Sequence, residues 1–349
     1  MAHSHPADPI FAALAASCLA IAIAGCGEES RPGPTGDSPG AAPASTRAVI
    51  AMLPKLVNID YFNACKLGAE AAARDIGVDL IFDGPSEATA EGQNQFIETW
   101  IRQRVAAICV APNQPKAVRR FVEQAQRAGI RVLTWDTDAP ESGRDLMVSQ
   151  VDDKVLGEAL MDELASQMGE QGNWAIAIGS LDATNLNTWR RHAEARASRY
   201  PKMKLIATEV TKENEHFASQ RVETLLNAHP DLAGILAFDS NSVPGAADAI
   251  QRAGKAGKVA LVGNSTPSKM RKYVKDGVVR AFFLWDPRLL GSLTVRLAQS
   301  LVAGKALRPG DEVPGYGKLV FSPADPRVVI VGNPIRFTAE NVDSYDFGI

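Results

Sequence analysis

The chain has 349 residues, of which 46% are hydrophobic, and its 37 lysines and arginines nearly balance 40 aspartates and glutamates, giving a formal net charge of −3. This composition is typical of a globular protein of about two domains. The absence of a basic block excludes a nucleic acid partner, and the absence of a long apolar run beyond the N-terminus excludes an integral membrane protein.

The first 26 residues have the pattern of a bacterial lipoprotein signal peptide. An apolar core that starts at Ile10 ends in Ile23-Ala24-Gly25-Cys26, which resembles a lipobox. We therefore expect export and a lipid on Cys26, with a plain secretory signal as the alternative. Residues 27–46 are rich in glycine and proline without apolar periodicity, which predicts a flexible tether between a membrane surface and a folded domain.

From Arg47 to about residue 305, short apolar runs alternate with longer amphipathic stretches, a pattern that favours parallel sheets covered by helices. The predicted strands are Ala48–Leu53, Val78–Phe82, Ala106–Val110, Arg131–Trp135, Trp174–Ile178, Lys204–Val210, Gly234–Phe238, Val259–Val262 and Val279–Leu284. The predicted helices are Ala64–Asp75, Gly92–Gln103, Lys116–Ala128, Asp152–Met168, Trp189–Arg199, Phe217–Asn227, Val243–Ala253 and Arg288–Val302.

About 300 residues of repeated strand and helix units exceed one core, so we expect an α/β fold of two Rossmann-like lobes with a cleft between them. A closed eight-stranded barrel is the competing architecture. The change in texture at Pro140–Gln150 and the extended tail after Gly304 predict chain crossings between lobes rather than further strand and helix units.

Motifs for catalysis, metals and cofactors are missing from the sequence. The five histidines lack metalloprotease spacing, and no nucleophile elbow, phosphate-binding loop or dinucleotide fingerprint occurs. Cys65 and Cys109 lie in an apparent helix and an apolar strand, where inert buried thiols are expected. These absences favour a binding protein without a cofactor over an enzyme.

Polar and aromatic residues cluster at the carboxyl ends of the predicted strands, where open α/β sheets bind their ligands. Such side chains suit a polyhydroxylated ligand, because each hydroxyl both donates and accepts, and the C–H face of a sugar packs on a ring. Individual members such as Asp136 and Asn264 could instead cap a helix or a turn. The residues of this set that we take as candidates are Lys55, Tyr61, Trp135, Asp136, Asn185, Asp239, Asn264 and Trp285. Arg190 is open between ligand contact and solvated helix charge.

Seven short stretches together resemble the periplasmic solute-binding proteins of ABC importers, of the ribose-binding type, and most of all their autoinducer-2-binding and rhamnose-binding subgroup. They are Ile50–Val57, Phe82–Ser86, Leu133–Asp138, His229–Leu232, Val262–Arg271, Phe283–Asp286 and Asn341–Phe347. The resemblance implies a periplasmic binding protein type I fold, in which three hinge crossings join two lobes that close over a sugar-sized ligand. It also implies a monomer that presents its closed form to a membrane permease in the cell envelope.

The resemblance also assigns ligand contacts. A lysine after the first strand and an aspartate in a Thr-Trp-Asp motif match Lys55 and Asp136, and a proline and an alanine after the Asp-Ala-Asn motif match Pro244 and Ala246. The Asp-Gln pair of the autoinducer-2 binders is Asn185-Leu186 here, which removes hydrogen-bonding partners for that ligand. We therefore expect a monosaccharide such as rhamnose, with autoinducer-2 as the minor alternative, and transport and sensing are not separated by the sequence.

The expected lobe boundaries follow from the same resemblance. Residues 47–150 and 265–305 are assigned to an N-terminal lobe, and residues 151–264 and 306–349 to a C-terminal lobe.

Overall fold

The structure is a computed structural model that describes residues 47–347. The predicted signal peptide with Cys26 and the predicted tether lie outside the described residues. In chain order the strands are β1 (Val49–Leu53), β2 (Asp79–Phe82), β3 (Ala107–Val110), β4 (Arg131–Trp135), β5 (Leu146–Val151), β6 (Gln171–Ile178), β7 (Lys202–Val210), β8 (Leu232–Phe238), β9 (Ala260–Gly263), β10 (Phe282–Leu284), β11 (Glu312–Val313), β12 (Gly317–Lys318), β13 (Val320–Phe321), β14 (Val328–Gly332) and β15 (Ile335–Phe337). The α-helices are α1 (Asp60–Ile76), α2 (Ala90–Gln103), α3 (Pro115–Arg127), α4 (Asp153–Met168), α5 (Thr184–Ala197), α6 (Glu215–Ala228), α7 (Ser242–Arg252), α8 (Pro267–Lys275) and α9 (Pro287–Val302).

The strands form two main sheets, each in its own lobe. The first sheet has the order β13-β14-β5-β4-β3-β1-β2, and the second has the order β7-β6-β8-β9. A bridge between Asn264 and Phe283 continues the second sheet to β10, which pairs antiparallel with β15. The strand pairs within the sheets are parallel except for β13 with β14. The two-lobed fold is thus confirmed, and the single barrel is excluded because the strands do not close into one sheet.

The chain passes between the lobes three times. It crosses between β5 and α4, between β10 and α9, and between β14 and β15. Strand pairing differs here from the expected lobe boundaries, because β10 continues the second sheet while β14 lies beside β5 in the first. Residues up to Leu284 therefore stay with the second lobe, and much of the tail after Gly304 returns to the first.

The sequence-based prediction lacked the short strands after α9, the strand β5 and the helix α8. The strand β5 was expected to be part of a crossing, because Ser149 and Gln150 interrupt its apolar run, yet all six of its residues are buried. The helix α8 has a mainly polar sequence, and apart from its initial proline it buries only Met270 and Val274, which are four residues apart. Short or polar elements of this kind give weak periodicity, so their neighbours in the fold determine them.

Helices α1 and α9 pack against each other at an unusually short distance. A Cβ atom on Gly68 would lie 1.8 Å from the carbonyl oxygen of Arg288, and one on Gly291 would lie 1.9 Å from that of Cys65. Only glycine allows two helix backbones to approach so closely at these points. This contact positions the start of α1 against the crossing that leads into α9.

No helix among residues 47–347 has both the length and the apolar character that a membrane span requires.

Candidate functional site between the lobes

A small cavity of about 30 Å³ lies between the lobes, where the carboxyl ends of strands from both sheets face each other. The first lobe supplies residues that follow β1 and β4, the second supplies residues that follow β6, β7, β8 and β9, and Trp285 follows β10 at the crossing into α9. The lining residues are Lys55, Ile59, Tyr61, Phe62, Asp136, Asn185, Leu186, Trp189, Glu213, Asp239, Ser240, Asn264 and Trp285.

Lys55 connects the two lobes across this cavity. Its Nζ donates to Glu213 Oε1 at 3.2 Å and to Asn185 Oδ1 at 3.4 Å. Lys55 is 3% exposed and Glu213 8% exposed, so this ion pair is shielded from water. Burial alone would lower the pKa of Lys55, but the carboxylates of Glu213, Asp136 and Asp239 raise it overall. Lys55 is therefore charged, and its ammonium can donate hydrogen bonds to a ligand bound between the lobes.

Asp136 receives its hydrogen bonds from the first lobe. Its Oδ1 accepts from the hydroxyl of Tyr61 at 2.8 Å, and Oδ2 accepts from Thr137 at 3.3 Å. Burial raises the pKa of Asp136, whereas the charge of Lys55 and the Tyr61 hydrogen bond oppose that rise. The carboxylate has hydrogen-bonding capacity left for a ligand hydroxyl.

The turn that carries Asp136 is fastened by a buried ion pair. Both Nε and Nη2 of Arg144 donate to the carboxylate of Asp138 at 2.7 Å, and Nη2 also reaches Asp325 at 3.2 Å. Across the cleft, Thr184 of α5 donates its hydroxyl hydrogen to the carbonyl oxygen of Asp138 at 2.8 Å. The turn is thus braced within its own lobe and contacts the other.

Aromatic rings form a continuous wall beside the carboxylate. The ring of Trp285 meets that of Tyr61 edge to face at 5.8 Å, and lies 5.5 Å from the ring of Trp189 in the second lobe. The indole nitrogen of Trp189 donates to Asp153 at 2.7 Å, at the start of α4. Burial raises the pKa of Asp153 to about 6, although the Trp189 hydrogen bond opposes the rise. The ring wall therefore extends from the cavity to two of the three crossings.

Asp239 caps the start of a helix in the second lobe. Its Oδ1 accepts from the backbone nitrogens of Asn241 and Ser242, both at 2.9 Å, which caps the start of α7. Burial, followed by repulsion from Glu213, raises the pKa of Asp239 to about 7. Asn264 in turn accepts from the backbone nitrogen of Asp239 through its Oδ1 at 3.3 Å.

Three of the acidic residues around the cavity have left-handed backbone conformations. The φ angle is 61° at Asp136, 107° at Asp239 and 51° at Glu213. Such angles are rare for residues other than glycine, and they cluster at ligand sites because the surrounding structure must hold them there. The backbone conformation is therefore a second, independent indication that these three carboxylates belong to a ligand site.

The structure brings seven of the sequence-predicted residues together and leaves three outside the cavity wall. Trp135 does not supply an apolar wall: its side chain is fully buried in the first lobe, packs on Phe62 and donates to the carbonyl of Cys109 at 3.1 Å. Pro244 and Ala246 are buried within the first turns of α7 and are not among the lining residues. Arg190 pairs with Glu194 one helical turn away and is not among the lining residues, while its Nε is buried without a hydrogen-bond partner.

Sequence reasoning missed Glu213 and Trp189. Glu213 lies in the polar segment after β7, where nothing in the local pattern separates it from an ordinary surface turn. Trp189 was predicted as the first residue of a helix, but the structure places its ring in the wall with Trp285. Both thiols, Cys65 and Cys109, are buried as predicted, and burial raises the pKa of each.

Within residues 47–347 no cluster of three or more histidine, cysteine, aspartate or glutamate side chains is placed to hold a metal ion.

Two lobes, three crossings and an interlobe site with donors, acceptors and rings define a cleft-type binding protein. Residues 50–306 match the family model described as a periplasmic binding protein domain, and the chain belongs to that family.

Known proteins similar to this chain include two sugar-binding proteins. The ribose import binding protein of Salmonella typhimurium is 24% identical over 269 residues, which cover 76% of this chain and 88% of that protein. The D-allose-binding periplasmic protein of Escherichia coli is 25% identical over 286 residues, which cover 79% and 91%.

Solved structures agree with this similarity. LsrB from Clostridium saccharobutylicum in complex with AI-2 has a TM-score of 0.81 at 26% identity, over 86% of this chain and all of that one. An ABC transporter solute-binding protein from Clostridium phytofermentas with bound L-rhamnose has a TM-score of 0.80 at 27% identity, over 86% and 98%.

Proposed function

We propose that this protein captures a sugar between its lobes and delivers it to an ABC-type importer, without catalysing a reaction. The observation that carries the proposal is the interlobe cavity, in which Lys55 of the first lobe reaches Asn185 and Glu213 of the second. A ligand that binds to both sides of this site would stabilise the closed arrangement of the lobes, which is the form a permease recognises.

The chemistry of the lining supports a polyhydroxylated ligand. Lys55 donates, the carboxylates of Asp136 and Glu213 accept, and the amides of Asn185 and Asn264 can do both. The rings of the Tyr61, Trp285 and Trp189 wall offer a flat apolar surface to the C–H face of a sugar.

The cavity also supports a closing mechanism. A volume of about 30 Å³ is comparable to that of one water molecule, so a sugar ring must enter while the lobes are apart. Its hydroxyls would then take the place of the direct contacts between Lys55 and the second lobe. Because these interactions form with both lobes only after closure, the ligand shifts the population towards the closed form.

A monosaccharide, with a deoxyhexose such as L-rhamnose as the first candidate, fits this site better than autoinducer-2. By the resemblance stated above, Asn185 and Leu186 correspond to an aspartate and a glutamine of the autoinducer-2 binders, so a carboxylate is replaced by an amide and one hydrogen-bonding side chain is lost. Autoinducer-2 is the second candidate, favoured by the positions of Lys55 and Asp136 at the cavity.

The predicted lipid anchor indicates where in the cell this protein would act. A lipid on Cys26 and a tether up to residue 46 would hold a monomeric binding domain in the periplasm or cell envelope, beside the permease. Delivery to a membrane receptor instead of a permease is the alternative for the closed form.

The experiment is a thermal-shift screen of the mature protein with pentoses, hexoses, deoxyhexoses and autoinducer-2, followed by titration calorimetry. A ligand at about 100 times its dissociation constant adds roughly 2.7 kcal/mol, which raises the melting temperature by a few degrees. The variant Asp136→Asn keeps the left-handed backbone that asparagine tolerates but removes the charge, and should weaken binding. The exposed Asp79→Asn is its control. Absence of any shift across the panel would refute the proposal, and a shift with autoinducer-2 alone would reverse the preferred ligand.

A further inference from the structure

A second, much larger space opens directly outside the interlobe cavity. This groove has a volume of about 750 Å³, and Glu213 lines both spaces, so they adjoin at that residue. The groove is bounded by residues 86–89 and 113–114 of the first lobe, and by residues 179–182 and parts of segment 210–217 of the second. It is therefore formed by the same two lobes that enclose the cavity.

The sizes of the two spaces differ in a way that matters for the ligand. Small-molecule pockets in proteins range over about 300–1,000 Å³, which includes the groove and leaves the cavity far below. A ligand can therefore have one ring enclosed between the lobes and a second part in the groove. The part in the groove does not prevent the lobes from closing.

The lining of the groove has the same chemical mixture as the cavity. Hydroxyls and amides are contributed by both lobes, as in Ser86 and Asn214. The half-buried ring of Phe217 also lines the groove, with the ammonium of Lys212 at 4.8 Å and the guanidinium of Arg221 at 5.4 Å from its centre. Leu181 adds an exposed apolar side chain at the rim. Polar groups interspersed with one ring suit a second sugar unit better than an extended hydrocarbon.

We propose that the groove is a second sugar subsite, so that the ligand is a disaccharide or a related glycoside with one unit in the interlobe cavity and the next in the groove. This inference rests on the proposed function, because it requires a sugar unit in the cavity. Glu213 lies at the junction of the two subsites, where the glycosidic linkage would pass.

The test compares monosaccharides with disaccharides that contain them, by titration calorimetry on the mature protein. The pairs are L-rhamnose with rutinose, D-galactose with melibiose and lactose, and D-glucose with maltose and cellobiose. In the pair that binds, we expect the disaccharide to bind at least tenfold more tightly than its monosaccharide.

A variant that blocks only the groove distinguishes binding in the groove from binding in the cavity. Ser86 is exposed, so Ser86→Trp should fold normally while its indole fills part of the groove. We expect this variant to lose at least tenfold in disaccharide affinity and to keep monosaccharide affinity within twofold. The control is Glu98→Trp, which places the same side chain on an exposed position of α2 outside the groove.

The outcomes are distinct. A disaccharide that binds no better than its monosaccharide, or a Ser86→Trp variant that affects both ligands equally, overturns the second subsite and leaves the proposed function standing. If neither series of sugars binds, the proposed function fails and the inference falls with it.

Discussion

The indole nitrogen of Trp285 donates a 3.0 Å hydrogen bond to the hydroxyl of Tyr61, although 224 residues separate them in the chain. The Tyr61 hydroxyl in turn donates a hydrogen bond to Asp136 Oδ1 at 2.8 Å. The crossing between β10 and α9, the start of α1 and the end of β4 are thereby joined in one short chain of hydrogen bonds at the cavity.

Replacing Tyr61 by phenylalanine should weaken ligand binding. The ring contacts remain, but Asp136 loses a buried donor and Trp285 loses its acceptor, a loss of about 1–3 kcal/mol. Titration calorimetry with the ligand found in the screen measures the effect. The control is Tyr316→Phe, whose hydroxyl donates to backbone carbonyls of β14 at a distance from the site. Equal affinities for the Tyr61 variant and the unaltered protein would contradict this role.

Glu213→Gln should open the ligand-free cleft. The substitution leaves the buried ammonium of Lys55 without its carboxylate at 3.2 Å, and separation of the lobes lets water solvate that charge. Small-angle X-ray scattering without ligand should show a larger radius of gyration than for the unaltered protein. Glu223→Gln breaks an exposed ion pair of the second lobe with Arg252 and serves as the matched control. Superimposable scattering curves for the Glu213 variant and the unaltered protein would show that the pair does not hold the lobes together.

Asp153→Asn should stabilise the protein at neutral pH and leave its stability at low pH unchanged. The pKa of Asp153 rises from an ordinary value of 3.8 to about 6 on folding, so between these values the folded state holds a proton that the unfolded state has lost. The free energy of unfolding that this group contributes therefore falls as the pH rises from about 4 to 6. Asparagine still accepts from Trp189 but has no charge to bury, which is worth up to about 3 kcal/mol at pH 8.

Urea unfolding at pH 4, 6 and 8 checks this dependence, with the exposed Asp79→Asn as control. A difference between the Asp153 variant and the unaltered protein that is the same at all three pH values would disprove it.

Gly68→Ala should lower both stability and ligand affinity. The new Cβ would lie 1.8 Å from a backbone oxygen of α9, so α1 and α9 must separate, and such overpacking costs about 1–3 kcal/mol or more. Because α1 carries Tyr61 and α9 begins two residues after Trp285, the separation also disturbs their hydrogen bond. Thermal unfolding and calorimetry measure the two effects. Gly332→Ala, where an added Cβ meets nothing within 4 Å, should leave both unchanged.

The sequence allowed the site to be placed because of one geometric rule. Asp136, Asp239 and Asn264 each come directly after a buried strand, and the ends of parallel strands meet at one edge of a sheet. The rule does not say towards which face a side chain points. Trp135, the last residue of β4, was therefore expected in the cavity wall although it points into the core of its own lobe.

Other features depend on contacts between distant segments, which local patterns do not carry. Glu213 becomes a site residue only because Lys55, 158 positions away, lies opposite it when the lobes meet. The lobe assignment of residues 265–284 depends on the bridge between Asn264 and Phe283, a pairing that hydrophobic periodicity does not specify.

The bond between Trp285 and Tyr61 also has a kinetic consequence. Tyr61 and Asp136 are joined within the first lobe, and Trp285 is bonded to Tyr61 from the crossing between β10 and α9, whereas Asn185 and Glu213 reach the cavity from the second lobe alone. An incoming ligand therefore meets the first group already assembled and the second only on closure. Changes in the first group should act on the rate of association, and changes in the second on the time the ligand stays bound.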